Sequence, residues 1–174
     1  EIGTGSGYQT SILSLLSRRV YSIERIKALL VNAQSCFKKL KLTNIISEFG
    51  DGFLGWPKLA PFDHMIITCA VKKIDNRLLN QIRVNGSCVV PIGKTKSQQR
   101  LKKITIRNDR KDDVWEDLGK VSFVPLITEK DWIIFNFLKH LWFSMGNMIV
   151  KTSFDYISFF YVWLPNKKLG WRFK

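Results

Sequence analysis

An α/β fold, a doubly wound and mostly parallel sheet, is predicted for this chain by three features of its sequence. A glycine-rich turn, Gly3-Thr4-Gly5-Ser6-Gly7, opens it, strand-like and helix-like segments alternate as far as Ile92, and acidic residues stand where two of the strand-like segments end, at Glu24 and Asp51. Strand and helix in this rhythm mean parallel strands joined by crossover helices. Ligands bind such sheets in the turns at the carboxyl ends of strands, so the glycine turn, Glu24 and Asp51 are expected on one edge.

Three glycines in five residues make a turn that lets backbone approach a ligand closely, because no Cβ stands in the way. Such turns normally follow a buried strand, which here is represented only by Glu1 and Ile2. The chain is therefore expected to be a fragment of a longer one. Its first strand is largely missing, which leaves neighbouring strands without partners and an edge open to aggregation.

Residues 8 to 17 carry Ile12, Leu13, Leu15 and Leu16 and read as a helix that starts as the turn ends. Arg19 to Glu24 is short and β-branched at Val20 and Ile23, a buried strand. Ile26, Leu29, Leu30, Ala33, Phe37 and Leu40 then fall on one helical stripe. Asn44 to Phe49 is a second strand, closed by Gly50-Asp51-Gly52, and residues 63 to 69 are a third. A short helix near residues 75 to 82, a turn at Val84-Asn85-Gly86 and a strand from Ser87 to Ile92 complete the alternation. Beyond residue 93, Leu101 to Arg107 and Lys120 to Leu126 are strand-like, separated by a charged loop, and suit an antiparallel edge.

At 174 residues, the chain has room for one domain with a real core. That domain is placed at residues 1–127, followed by an aromatic-rich, basic extension at residues 128–174. Thirteen of the 22 aromatics lie in that extension, without clear periodicity; an extra helical layer, a partner-binding or membrane-surface segment and a tail with no selected structure are its three readings, the last being favoured, and its role is unassigned. The formal charge of +14 raises nucleic acid or an anionic surface as a partner. The basic residues are scattered as pairs with no block of five or six, however, and lysine outnumbers arginine 19 to 9, as biased genome composition would give. No specific nucleic-acid partner is expected.

Cys36, Cys69 and Cys88 lie far apart, without metal-ligand spacing or nearby histidines, so buried reduced thiols, no metal and a cytoplasmic setting are expected. The apolar runs Trp132 to Leu138 and Tyr156 to Leu164 fall short of the roughly 20 residues of a spanning helix. A monomer is expected.

The dinucleotide fingerprint GxGxxG requires its third glycine one place later than Gly7, whereas the acidic residue for a ribose is present at Glu24. The pattern therefore fits an adenosine without the pyrophosphate geometry. S-adenosylmethionine is such a ligand, with Glu24 accepting from the ribose hydroxyls and Asp51 holding the adenine amino group.

EIGTGSGYQT, RVYSIERI, LTNI, GDGFLGWP, APFD, VVPIG, EDLG and VSFVPL, in that order and spacing, closely resemble the bacterial protein-L-isoaspartate O-methyltransferase family over residues 1 to about 127. The resemblance implies an S-adenosylmethionine-dependent methyltransferase sheet and methyl transfer to the α-carboxylate of isoaspartyl residues in damaged proteins, a repair activity. It assigns Gly3, Thr4, Gly5, Ser6, Gly7, Glu24, Asp51 and Gly52 to the cofactor, and Val124 and Leu126 to the bound peptide. The family's N-terminal portion, with a serine at its active site, has no counterpart here, and no catalytic residue is identified. Where the family typically reads TAAAPE, this chain has Thr68-Cys69-Ala70-Val71-Lys72-Lys73. An impaired enzyme is therefore one expectation; a noncatalytic remnant or basic binding module that retains the fold is the alternative. A methyltransferase acting on nucleic acid is disfavoured by the lack of an NPPY-type motif and of a Pro-Cys nucleophile.

Overall fold

A computed structural model of the chain describes residues 1–127. The expected tail at residues 128–174, and His140 with it, lie outside the described residues.

Helix α1 (Tyr8–Leu16) leads into strand β1 (Val20–Glu24), helix α2 (Lys27–Lys39) and strand β2 (Ile45–Phe49), which pairs parallel to β1. Strand β3 (Phe62–Ile66), the short helix α3 (Asn76–Leu79) and strand β4 (Ile82–Ile92) follow, with β4 again parallel to β3. Strands β5 (Arg100–Thr105) and β6 (Val114–Lys120) add antiparallel to its far edge.

The two parallel pairs meet across the first residues of the chain. Ile2 bridges both Ile23 and Ile67 in parallel sense. The Gly3 N–H donates to Ile23 O at 2.8 Å, and the Ile2 N–H donates to Ile66 O at 2.9 Å. Glu1 O and Ile2 O in turn accept from the Ile23 and Thr68 N–H groups, each at 3.0 Å. The order is thus β2, β1, the Glu1–Gly3 rung, β3, β4, β5, β6. The gap expected between the neighbours of the first strand is closed at this level of the sheet.

The principal core lies between β3, β4 and β5 and includes Ile2, Ile67, Val71, Leu78, Leu79, Val90 and Ile104. Leu30, Ala33 and Phe37 of α2 are buried as the helical stripe predicts, whereas Leu40, at its end, is exposed. Helix α1 departs further from its leucine pattern. Thr10 and Ser14 face inward while Leu15 and Leu16 are exposed, and the inward Thr10 hydroxyl bonds the part-buried Glu1 carboxylate.

Two other expectations are corrected. Val84-Asn85-Gly86 is a bulge inside β4 and not a turn before it: the β3 register jumps from Phe62 opposite Ile82 to His64 opposite Ser87, with Asn85 at φ +63° taking up the excess chain. The charged loop proposed between the last two strand-like segments contains β6 itself, while Lys120 to Leu126 is no strand beyond Lys120. Lys102 stands opposite Asp117 and Lys103 opposite Glu116, closing ion pairs at 3.0 and 2.9 Å, so the charges are cross-strand partners.

Cys69 and Cys88 are buried and Cys36 is exposed on α2. Burial pushes the Cys69 and Cys88 thiols up to about 12. At about pH 8 roughly one in ten thousand of such thiols is ionised, and the thiolate is the reactive form. A chromogenic thiol reagent should therefore titrate Cys36 alone in the native chain and all three cysteines in denaturant; rapid native labelling of Cys69 or Cys88 contradicts the assigned core. Among the described residues, no group of three or more His, Cys, Asp or Glu residues could hold a metal ion, and no helix is long and apolar enough to cross a membrane.

Candidate functional site

The glycine turn leaves the sheet with left-handed backbone at Gly3 (φ +94°), Gly5 (φ +56°) and Gly7 (φ +82°), and Gly7 caps α1. Ser6 is exposed between buried Gly5 and Gly7. Beneath the turn runs a hydroxyl and carboxylate network. Thr4 Oγ1 lies 2.6 Å from Ser22 Oγ, which donates to Glu1 Oε2 at 2.6 Å, and the Thr10 hydroxyl donates to the same oxygen. Burial raises the Glu1 carboxyl above its usual range, against the lowering effect of those hydroxyl bonds.

Glu24, at the end of β1, is 5% exposed. Its Oε2 accepts the Gly5 N–H at 2.7 Å and its Oε1 the Ile26 N–H at 2.8 Å. The acid is thus bonded directly to the glycine turn, and each carboxylate oxygen retains acceptor capacity for a further donor.

The third loop joins the same edge. The Gly50 N–H donates to Glu24 O at 3.0 Å, and Arg25 Nη1 lies 4.0 Å from Asp51 Oδ2. Gly52 is packed so closely on the chain start that a Cβ there would stand 2.4 Å from Ile2 Cγ2. Asp51 Oδ1 also accepts the Phe53 N–H at 2.9 Å, which turns the loop. Gly3, Thr4, Gly5, Gly7, Glu24, Asp51 and Gly52 are therefore contiguous, with Ser6 at the tip of the turn.

Val124 and Leu126 reach this edge through a different contact. Thr68 Oγ1 donates to Gly3 O at 2.6 Å, and two residues on, Ala70 bonds the late segment: its N–H donates to Val124 O at 2.7 Å and its carbonyl accepts the Leu126 N–H at 2.8 Å. Both side chains are partly buried against the core. Of the altered stretch, Cys69 and Val71, the two enlarged residues, are buried beside the unchanged Ala70, so their added bulk lies in the interior. Lys72 and Lys73 are exposed, and Lys73 borders a cavity of about 400 Å³ shared with Phe53, Ile74, Asp75 and Asn76. His64 is exposed beside Ser87, with Nδ1 3.0 Å from its hydroxyl, away from these contacts.

Two buried glutamines that sequence reasoning did not single out fix the loops of the site. Gln81 accepts the Trp56 N–H at 2.7 Å and donates to Leu54 O and Arg77 O at 2.9 and 3.1 Å, tying the loop after Gly52 to α3. Gln99 grips the backbone of Phe123, immediately before Val124. The only signal for Gln81 was an amide within an apolar run, Leu78-Leu79-Asn80-Gln81-Ile82; Gln99, in a polar stretch, offered none.

The family model for protein-L-isoaspartate(D-aspartate) O-methyltransferase matches residues 1–131. Protein-L-isoaspartate O-methyltransferase 1 of Nitrosococcus oceani is 43% identical over 129 residues, which cover 74% of this chain and 60% of the relative. Among solved structures, a protein-L-isoaspartate O-methyltransferase superposes with a TM-score of 0.65 at 24% identity, covering 71% of this chain and 40% of the other. A Plasmodium falciparum protein assigned to the same activity and solved with S-adenosyl-L-homocysteine gives a TM-score of 0.58 at 23% identity, covering 72% and 63%. The chain thus spans about 60% of the length of the first curated relative.

Proposed function

The chain belongs to the protein-L-isoaspartate(D-aspartate) O-methyltransferase family, and from that premise we propose that it binds S-adenosylmethionine on the glycine turn and methylates the α-carboxylate of isoaspartyl residues in damaged proteins. The observation that carries the reading is the Glu24 carboxylate, buried, bonded to the glycine turn and to the start of the α2 connection, and still able to accept two ribose hydroxyls. Gly3, Thr4, Gly5, Ser6 and Gly7 would line the cofactor's methionine and ribose portions, and Asp51 and Gly52 its adenine. Val124 and Leu126 would lie along the peptide.

When bound, S-adenosylmethionine supplies an electrophilic sulfonium methyl. With the donor held by the glycine turn, Glu24 and Asp51 and the acceptor by Val124 and Leu126, the carboxylate oxygen would take that methyl as the sulfur–carbon bond breaks, leaving a methyl ester and S-adenosylhomocysteine. No proton moves, because a carboxylic acid with a reference pKa of about 3.5 to 4 is already ionised near neutrality. The protein's task is therefore to hold the acceptor in line with the donor, a proximity effect, and neither a base nor a nucleophile is required among its residues.

Calorimetry with S-adenosylhomocysteine, followed by transfer of labelled methyl to an isoaspartyl peptide and to its aspartyl isomer, tests this reading. Binding with label on the isoaspartyl peptide alone is the expected result. Binding without transfer would reduce the function to cofactor binding, and neither would leave the noncatalytic alternative.

A further inference from the structure

The segment after β6 has little regular pairing of its own. Among residues 121–127 a single parallel bridge is formed, Pro125 with Ala70, yet this is the segment that presents Val124 and Leu126. Its other anchor is Gln99. That side chain is 4% exposed, its Oε1 accepts the Phe123 N–H at 2.5 Å, and its Nε2 donates to Phe123 O at 3.1 Å. The Gln99 carbonyl also accepts the Val121 N–H at 3.1 Å. The amide thus copies a peptide group and supplies the strand rung that the backbone lacks. A buried primary amide is costly unless both its ends are bonded, and here both bond one residue, so the position of Phe123 follows that of Gln99.

We propose that Gln99 is a positioning residue for the acceptor peptide: it fixes the register of residues 121–126 so that Val124 and Leu126 meet Ala70, beside Thr68 and the glycine turn. This rests on the reading given under Proposed function. The chain of contacts is continuous from Gln99 to Phe123, from Val124 and Leu126 to Ala70, and from Thr68 to Gly3 O. Glu24 approaches the site from the end of β1, where its carboxylate is held by the Gly5 and Ile26 N–H groups. Loss of the clamp should therefore weaken the peptide and spare the cofactor.

Gln99→Glu makes the test specific. A protonated glutamic acid repeats both bonds, its carbonyl accepting the Phe123 N–H and its O–H donating to Phe123 O. The ionised form keeps the first and sets a negative oxygen against a carbonyl. Burial raises the pKa of such a carboxyl, so the clamp should be closed at about pH 5.5 and open at about pH 8.5. The expected result is an isoaspartyl-peptide KM raised roughly tenfold over the unsubstituted chain at the higher pH, the scale set by one buried polar group left unmatched. It should return to within about twofold at the lower pH, with S-adenosylhomocysteine affinity unchanged at both. Gln99→Leu should show the raised KM at both values. Where it fails to fold, the pH jump on Gln99→Glu is made on protein already folded with both bonds in place. A KM for Gln99→Glu that tracks the unsubstituted chain at both pH values, with only its unfolding midpoint lowered, overturns the positioning role alone. An unsubstituted chain that neither binds nor methylates the peptide overturns the proposed function and this role with it.

Discussion

Replacing Gly7 with alanine is expected to destabilise the chain by about 2–5 kcal/mol, the sum of about 1–2 for left-handed backbone and about 1–3 for overpacking. Gly7 caps α1 at φ +82°, where an L residue brings its Cβ against its own carbonyl. The added carbon would also stand 2.7 Å from Phe37 Cε1 and 3.0 Å from Ala33 Cβ. Phe37 and Ala33 are 5% and 0% exposed, so the ring has no free volume to enter and α2 would have to shift from the sheet. The urea midpoint measures the loss, with Gly50→Ala as the control: the Cβ there meets only Ile23 Cγ2 at 3.4 Å, and a change within about 1 kcal/mol is expected. Equal midpoints for the two variants would show that the α1–α2 packing is not as described.

This packing was legible in the sequence because it is periodic. Leu30, Ala33 and Phe37 repeat at helical spacing and are the residues of α2 that are buried, and β1 ends at Glu24 as its β-branched run indicated. Strand β6 was not legible, since apolar alternation is absent: its seven residues are almost all exposed, and Asp117 and Glu116 are held by lysines and an arginine of β5. A strand whose partners are charges looks like a loop until the partner is known. The bulge at Asn85 was hidden for the same reason, because Asn-Gly serves a turn or a register shift equally well and only pairing decides between them. Within the site, the glycines and Glu24 carried a spacing that could be read. The glutamines did not, because their partners are backbone groups some 25 residues distant, and a backbone group leaves no trace in residue identity.

Glu24→Ala is expected to weaken S-adenosylhomocysteine binding by roughly 1.5–3 kcal/mol, the worth of hydrogen bonds to a charged group, or about ten- to hundredfold in Kd. The structure adds a second consequence. The lost carboxylate also satisfies the Gly5 and Ile26 N–H groups, and a buried donor left without its acceptor costs about 1–3 kcal/mol, so the unfolding midpoint should fall as well. A loss of affinity could then come from a displaced turn or from missing ribose contacts, and the ligand separates them. Adenosine and 2′,3′-dideoxyadenosine differ only in the hydroxyls that Glu24 is proposed to hold. The unsubstituted chain should prefer adenosine, and Glu24→Ala should bind the two alike. If the variant keeps the preference while losing affinity for both, Glu24 shapes the glycine turn and another group reads the ribose. Because Oε1 and Oε2 each accept a backbone N–H, Glu24→Gln is no neutral substitute: one end of its amide would point a donor at a donor. It should fall between Glu24→Ala and the unsubstituted chain in stability, and with Glu24→Ala in its indifference to the hydroxyls.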